Sequence, residues 1–264
     1  MKKPTELVIL TGANSSLSLP FISYFNQKNT TKIIALFKNN PIEAKGNIIP
    51  LQCDLVVSED IKHKLQEIFS SDLMSDIKKV YLMHMMGSFK YEGISQIPEK
   101  DDDKDGIDDD IFESNVTAFE NVLNALQSSY TVDDNHQLIL FNVGSKRDYN
   151  PDGVPWKSYA LAKNILRDKF KKLSDSNKNI QGLFINAGTI DIDKERILRP
   201  FGEYTFRLKP QEIFEGSIYE LEHIEGYKEL ELYKFHPKYE THFREETLMD
   251  THERWLKEMG IVNK

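Results

Sequence analysis

Gln137-Leu-Ile-Leu-Phe-Asn-Val143 runs straight into Gly144-Ser145, and fourteen residues after Ser145 comes Tyr159-Ala160-Leu161-Ala162-Lys163. The first run is short and apolar and reads as a buried strand; Ser158 to Leu173 is a run of good helix formers. Residues four apart on a helix share a face, so Tyr159 and Lys163 present a phenol and an ammonium one turn apart. A free tyrosine, with a pKa of about 10, is a poor proton-transfer group near neutrality. A cation held beside the phenolate lowers that value, each unit corresponding to roughly 1.4 kcal/mol. A tyrosine tuned this way gives a proton to a carbonyl oxygen or takes one from an alcohol. Ser145, at the end of the strand, adds a hydrogen bond to the same oxygen as its charge changes.

The Tyr-x-x-x-Lys spacing is not specific by itself, because Tyr24 and Lys28 share it in an ordinary amphipathic segment. Context separates the two pairs: Tyr159 follows a strand that ends at Ser145, and Tyr24 has no such partner. Around this centre, further apolar runs read as strands at Glu6–Leu10, Lys32–Phe37, Asn47–Gln52, Lys79–His84, Ile180–Asn186 and Glu229–Phe235. Helical patterns fall between them, at Pro20–Asn26, Val57–Phe69, Ile111–Leu126 and Pro210–Leu221. Alternating strands and helices predict an α/β fold, a single Rossmann-type doubly wound parallel sheet of about seven strands with helices on both faces. No repeat or linker divides residues 1–264, so one domain is expected.

The order strand, Ser145, loop, Tyr159-x-x-x-Lys163 resembles the catalytic segment of the short-chain dehydrogenase/reductase family. The resemblance runs from about Glu6 to Phe235. It implies that Asn115, Ser145, Tyr159 and Lys163 form the catalytic set, with Asn115 holding a water in the proton relay to Lys163. It also implies a nicotinamide cofactor, carbonyl–alcohol chemistry on a small-molecule substrate, and a homodimer or homotetramer paired through the helices that carry Asn115 and Tyr159. The cofactor would sit on Thr11, Gly12, Asn14, Ser15, Ser16 and Leu17, on Asp54 and Leu55 near the adenine, and on Gly87, Gly188 and Thr189, with Tyr159 and Lys163 at its nicotinamide end.

The match departs from the family's pattern at several of these places. Ser16 and Ser18 stand where two further loop glycines are usual, and a serine forced to φ > 0 would cost on the order of 1–2 kcal/mol. His84-Met85-Met86-Gly87 replaces Asn-Asn-Ala-Gly and keeps only its glycine. Ala187 replaces the proline of the Pro-Gly that lies beside the nicotinamide. At the end of the second strand, Phe37-Lys38-Asn39-Asn40 has no carboxylate to bind ribose hydroxyls and offers Lys38 to a 2′-phosphate, which favours NADP (NADPH) over NAD.

Composition sets the outer limits. The 264 residues include 39% hydrophobic and 29% charged ones, as in an ordinary globular protein. The net charge of −8 gives no general attraction to nucleic acid or to anionic membrane. No apolar run approaches the roughly 20 residues of a membrane span, and the start of the chain is no signal peptide, so the expected location is cytoplasmic. The one cysteine, Cys53, lies in a strand and reads as a small buried hydrophobe. Asp191 to Leu208 is expected to be a variable lid over the substrate, with Arg196, Arg199 and Arg207 solvated at its surface or, alternatively, turned to an anionic substrate. Residues 236–264 form an extension that caps either a subunit contact or the mouth of the site. Asp101-Asp-Asp-Lys-Asp-Gly106 has the opening spacing of a calcium loop but lacks the acid at its twelfth position, so a solvated acidic loop and no metal are expected. Two alternatives to an NADP-dependent oxidoreductase stay open: a cofactor-binding regulatory or scaffold protein without turnover, and an epimerase or dehydratase sharing the Tyr–Lys pair.

Overall fold

Seven apolar runs become seven strands of one parallel sheet. A computed structural model describes residues 3–69, 75–92, 106–149, 151, 156–234 and 248–261. Its strands are β1 (Glu6–Thr11), β2 (Thr31–Phe37), β3 (Ile48–Gln52), β4 (Lys79–His84), β5 (Gln137–Ser145), β6 (Ile180–Ala187) and β7 (Tyr227–Leu232). They lie in the order β3-β2-β1-β4-β5-β6-β7, every neighbouring pair parallel. Pro50, which has no amide hydrogen to give, is tolerated because β3 is an edge strand.

A parallel sheet covered on both faces needs strands that are apolar throughout, and side chains alternate between its faces. Leu7 and Ile9 of β1 join Ile34 and Leu36 of β2 in one core, against α2 (Ser58–Phe69), α4 (Ala118–Gln127) and α5 (Lys157–Ser176). Val8, Leu10, Ile33 and Ala35 point the other way, onto α1 (Leu19–Asn26) and α7 (Pro210–His223). Cys53 is buried in the first core as expected, and burial pushes its thiol up to about 12.

Two elements differ from the sequence pattern. The long helix expected at Ile111–Leu126 is three pieces: α3 (Asp109–Phe112), a π-helical turn Glu113–Thr117 that contains Asn115, and then α4. The last strand begins two residues earlier than its alternation suggested, and Phe235 lies outside the described residues. The region 191–208, expected to be a lid, forms a short helix, α6 (Asp193–Leu198), and a 3-10 turn, Tyr204–Phe206. Part of the extension folds as α8 (Leu248–Glu258). The acidic loop lies outside the described residues except for Gly106. Among the described residues, no helix is long and apolar enough to cross a membrane.

Candidate active site

The strand order reverses direction between β1 and β4, and the crevice outside their carboxyl ends is where open α/β sheets bind ligands. Thr11, His84, Ser145 and Ala187 are the last residues of β1, β4, β5 and β6, so all four reach this edge.

The loop after β1 turns on Gly12 at φ +63. A Cβ there would stand 3.1 Å from the Met85 carbonyl oxygen and the Met86 nitrogen, so the glycine serves both the turn and the close approach of the β4 loop. The strain considered for Ser16 and Ser18 does not arise: among the described residues, Asn40 is the non-glycine at positive φ. Ser18 instead closes the loop, donating its hydroxyl to the Gly12 carbonyl at 2.9 Å. Asn14 ties the loop to the end of β2 by donating to the Asn39 carbonyl at 2.9 Å. A cleft of about 630 Å³ runs from Ser16, Leu19 and Pro20 at the start of α1 to Asp191–Asp193, Arg196 and Lys209. A helix N-terminus favours phosphate, and this cleft opens beside the start of α1. Geometry at the loop therefore fits a dinucleotide despite the missing glycines.

Lys38 stands at the end of β2 as predicted, but its ammonium lies 2.6 Å from Asp54 Oδ2. The Lys38 hydrogen bond is the main reason that the Asp54 carboxyl is held below its ordinary value. Two residues assigned to the cofactor thus satisfy each other, and a 2′-phosphate would have to take Lys38 from this exposed pair. Leu55 is buried beside them.

A buried polar chain joins the loop to the π turn. His84 is 1% exposed, and its Nε2 faces the Asn115 carbonyl oxygen at 2.9 Å. Nε2 must then donate, which makes Nδ1 the acceptor for the Thr11 hydroxyl at 3.0 Å. Thr11 Oγ1 in turn accepts the Met85 and Met86 amides at 3.2 and 3.3 Å. Burial pulls the His84 pKa down to about 3, the nearby Lys163 charge adds to this, and the ring is neutral. Asn115 is fully buried; its Nδ2 donates to the Ser88 and Ile111 carbonyls at 3.0 and 2.9 Å, while its Oδ1 has no partner among the described residues. A π turn exposes backbone groups that a regular helix would consume, and such turns recur at functional sites.

Tyr159 and Lys163 lie on one face of α5, with Lys163 Nζ 5.3 Å from the centre of the Tyr159 ring. Lys163 is 3% exposed and donates to Asn142 Oδ1 at 3.1 Å; Asn142 passes the connection on by donating to the His84 carbonyl at 2.8 Å. Burial and the Asp148 carboxylate hold the Tyr159 phenol well above its ordinary value. That direction is opposite to the expected lowering by Lys163. The phenol is protonated over the whole neutral range. Burial draws Lys163 down to about 8, with Asp148 opposing and Arg167 assisting.

Several groups escaped the sequence reading. Arg167 continues the four-residue ladder from Tyr159 and Lys163, a spacing that pointed to it. It is buried, donates to Asn186 Oδ1 at 2.9 Å, and lies 3.3 Å from Glu229 Oε2 of β7. Asp148, three residues after Ser145, accepts the Ser145 amide on Oδ2 at 2.6 Å. Aromatic residues close the side next to Tyr159: Phe89 meets its ring edge-on at 5.2 Å, Trp156 and Trp255 of α8 pack against Phe89, and Tyr91 stacks on Trp255. The extension therefore lies toward the mouth of the site.

The lid arginines divide. Arg196 is exposed and pairs with Asp191 through two hydrogen bonds of 2.7 Å. Arg199 and Arg207, expected at the surface, are buried at 1% and 4% exposure. Arg199 bridges Glu195 and Glu258 and stacks over Trp255 at 3.8 Å; Arg207 covers Tyr204 at 4.2 Å. Burial next to fixed carboxylates and aromatic faces explains both. Gly188 donates its amide to the Leu232 carbonyl at 2.7 Å, and the Thr189 carbonyl accepts from Leu208 at 2.9 Å, so the β6 exit is stitched to the end of β7 and to Leu208.

The same architecture occurs in solved structures of short-chain dehydrogenases. A short-chain dehydrogenase from Burkholderia cenocepacia in complex with NADP superposes with a TM-score of 0.65 at 14% identity, covering 97% of this chain and 99% of that one. Thermoplasma acidophilum aldohexose dehydrogenase, ligand-free, gives 0.64 at 17% identity over 87% and 92% of the two chains. A 4-hydroxyisoleucine dehydrogenase complexed with NADH gives 0.61 at 18% identity over 86% and 96%. No protein-family model matches the chain, and no curated protein matches it significantly. The chain has the Rossmann-type fold that these dehydrogenase structures share.

Proposed function

We propose that this chain is a nicotinamide-dependent oxidoreductase that interconverts a carbonyl and an alcohol on a small molecule, with NADP(H) preferred. The observation that carries the reading is the placement of half-buried Tyr159 and buried Lys163 on one face of α5, beside the carboxyl end of β5 and the Asn115 π turn. The cofactor-facing positions are Thr11, Gly12, Asn14, Ser15, Ser16 and Leu17 at the loop, Lys38, Asp54 and Leu55 at the adenosine end, and Gly87, Gly188 and Thr189 nearer Tyr159. When bound, the nicotinamide supplies the hydride chemistry, and the protein supplies position and protons.

Tyr159 is the proton-transfer group. Its phenol is held protonated, which provides the proton that a substrate oxygen takes up on reduction. Ser145 donates a hydrogen bond to that oxygen. Lys163, fixed by Asn142, returns charge to the phenol as it loses its proton. Asn115 has a buried, unpartnered Oδ1 suited to ordering a water between Lys163 and solvent. The solved neighbours include one complex with NADP and one with NADH, which supports a nicotinamide without choosing between the two. Lys38, the cation at the end of β2, supports NADP, whose 2′-phosphate would draw it from Asp54.

Calorimetric titration with NADPH and NADH tests the cofactor. NADPH should bind more tightly, and Lys38→Ala should narrow the gap; equal affinities in the unmutated protein contradict the preference. A carbonyl panel with the better cofactor then tests turnover. Tight NADPH binding without turnover of any carbonyl or alcohol would replace this reading with a silent cofactor-binding role, which the loop serines and Met85–Met86 favour.

A further inference from the structure

One carboxyl group in the candidate site has no part in the proton chemistry above. Asp148 lies in the 3-10 turn Lys146–Tyr149 that directly follows β5, and it is fully buried. Its Oδ2 accepts the Ser145 amide at 2.6 Å; its Oδ1 makes no hydrogen bond of good geometry among the described residues. The Asp148 carbonyl accepts from Asn164 Nδ2 at 2.7 Å, which fastens the turn to α5 next to Lys163. Gly144 is required by the same packing. A Cβ on it would stand 3.1 Å from Asp148 Oδ2 and 2.6 Å from the Phe184 ring.

The charges around this carboxyl are unbalanced without it. Lys163 and Arg167 are buried one turn apart on α5, and like charges at that spacing repel. Arg167 has Glu229 of β7 at 3.3 Å, and Asp148, on the turn fastened to α5 at the residue after Lys163, acts on Lys163 as an opposing charge. The Trp156 indole and the Tyr159 phenol also face it, and Glu195 of α6 acts on the same phenol.

We propose that Asp148 is a positioning residue of this site: it sets Ser145 through the backbone amide and supplies the counter-charge that keeps Lys163 protonated beneath Tyr159. The consequence for turnover rests on the oxidoreductase reading; the geometry does not. Burial pushes the Asp148 carboxyl up to about 7 and draws Lys163 down to about 8, and each charge opposes the effect of burial on the other.

The test uses the full chain without cofactor, labelled at lysine Cε and aspartate Cγ and followed by NMR from pH 5 to 11. Lys163→Met assigns the Lys163 signal. In Asp148→Asn, which keeps an acceptor for the Ser145 amide and loses only the charge, the Lys163 midpoint should fall by about one pH unit or more. An unmoved midpoint overturns the proposal. In the parent alone, every aspartate should be ionised before Lys163 loses its charge; an aspartate that stays protonated past the Lys163 midpoint overturns the proposal, whether or not the variant folds. With a substrate in hand, the alkaline limb of turnover should move down together with the Lys163 midpoint, and a limb that stays in place contradicts the role. The titrations need neither cofactor nor substrate. A chain that turns over nothing therefore loses the oxidoreductase reading and leaves this one to stand or fall by its own signals.

Discussion

Tyr24 and Lys28 repeat the spacing of Tyr159 and Lys163, and the structure gives them much the same local geometry. Lys28 Nζ lies 4.6 Å from the Tyr24 ring centre, and both side chains bond to Glu222 of α7. Four-residue spacing alone therefore yields a tyrosine under a lysine wherever a helical turn allows it. What distinguishes Tyr159 is burial of its lysine and the elements that meet there, and these come from the tertiary fold. The same holds for Asp148: one more acidic residue among 42 in the sequence, it acquires meaning only when β5 and α5 close over it. Its folded pKa is raised, so the protonated form is favoured in the native state. The stabilising contribution is full at low pH and is lost as pH rises from the ordinary carboxyl range through about 7. Asp148→Asn should match the parent in denaturant unfolding at pH 4 and exceed it at pH 8. The excess is at most about 4 kcal/mol, from a rise of roughly three pKa units. A parent that is the more stable protein at pH 8 would contradict the assigned burial.

Among the elements, β1 to β6 and the helices between them were legible because period and apolar content dictate them. The π turn was not, since a one-residue wide turn leaves no mark on hydrophobic spacing. Across the crevice, Gly87 packs directly against the Asn115 side-chain amide of that turn, with no room for even one more carbon. The glycine kept in the otherwise altered His84–Gly87 stretch is required by this close approach, a reason that no spacing in the sequence shows. Likewise the burial of Arg199 depends on Trp255 and Glu258, more than fifty positions away in sequence. Gly87→Ala should force the π turn away from the β4 loop, destabilising the fold by about 1–3 kcal/mol as overpacking does. It should also reduce turnover. Urea unfolding that gives the same midpoint for the variant and the parent would remove Gly87 from this role.

On the scale of the whole molecule, seven parallel strands bring residues spread from Thr11 to Thr189 to one edge of one sheet. We propose that the outer faces of α4 and α5 pair two or more copies, as the exposed Ile165 on α5 allows. Light scattering well above micromolar concentration should then give a dimer or tetramer mass, and a monomer mass would reject it. The central claim is that this edge performs proton transfer through Tyr159, and one comparison addresses it directly. NADPH binding and carbonyl turnover are measured for the parent, Tyr159→Phe and Tyr24→Phe on a substrate the parent reduces. Tyr159→Phe should bind NADPH nearly as the parent does and lose about 10²–10⁴-fold in turnover, the usual cost of removing a general acid. Tyr24→Phe should change neither. Turnover by Tyr159→Phe equal to the parent's would contradict the claim.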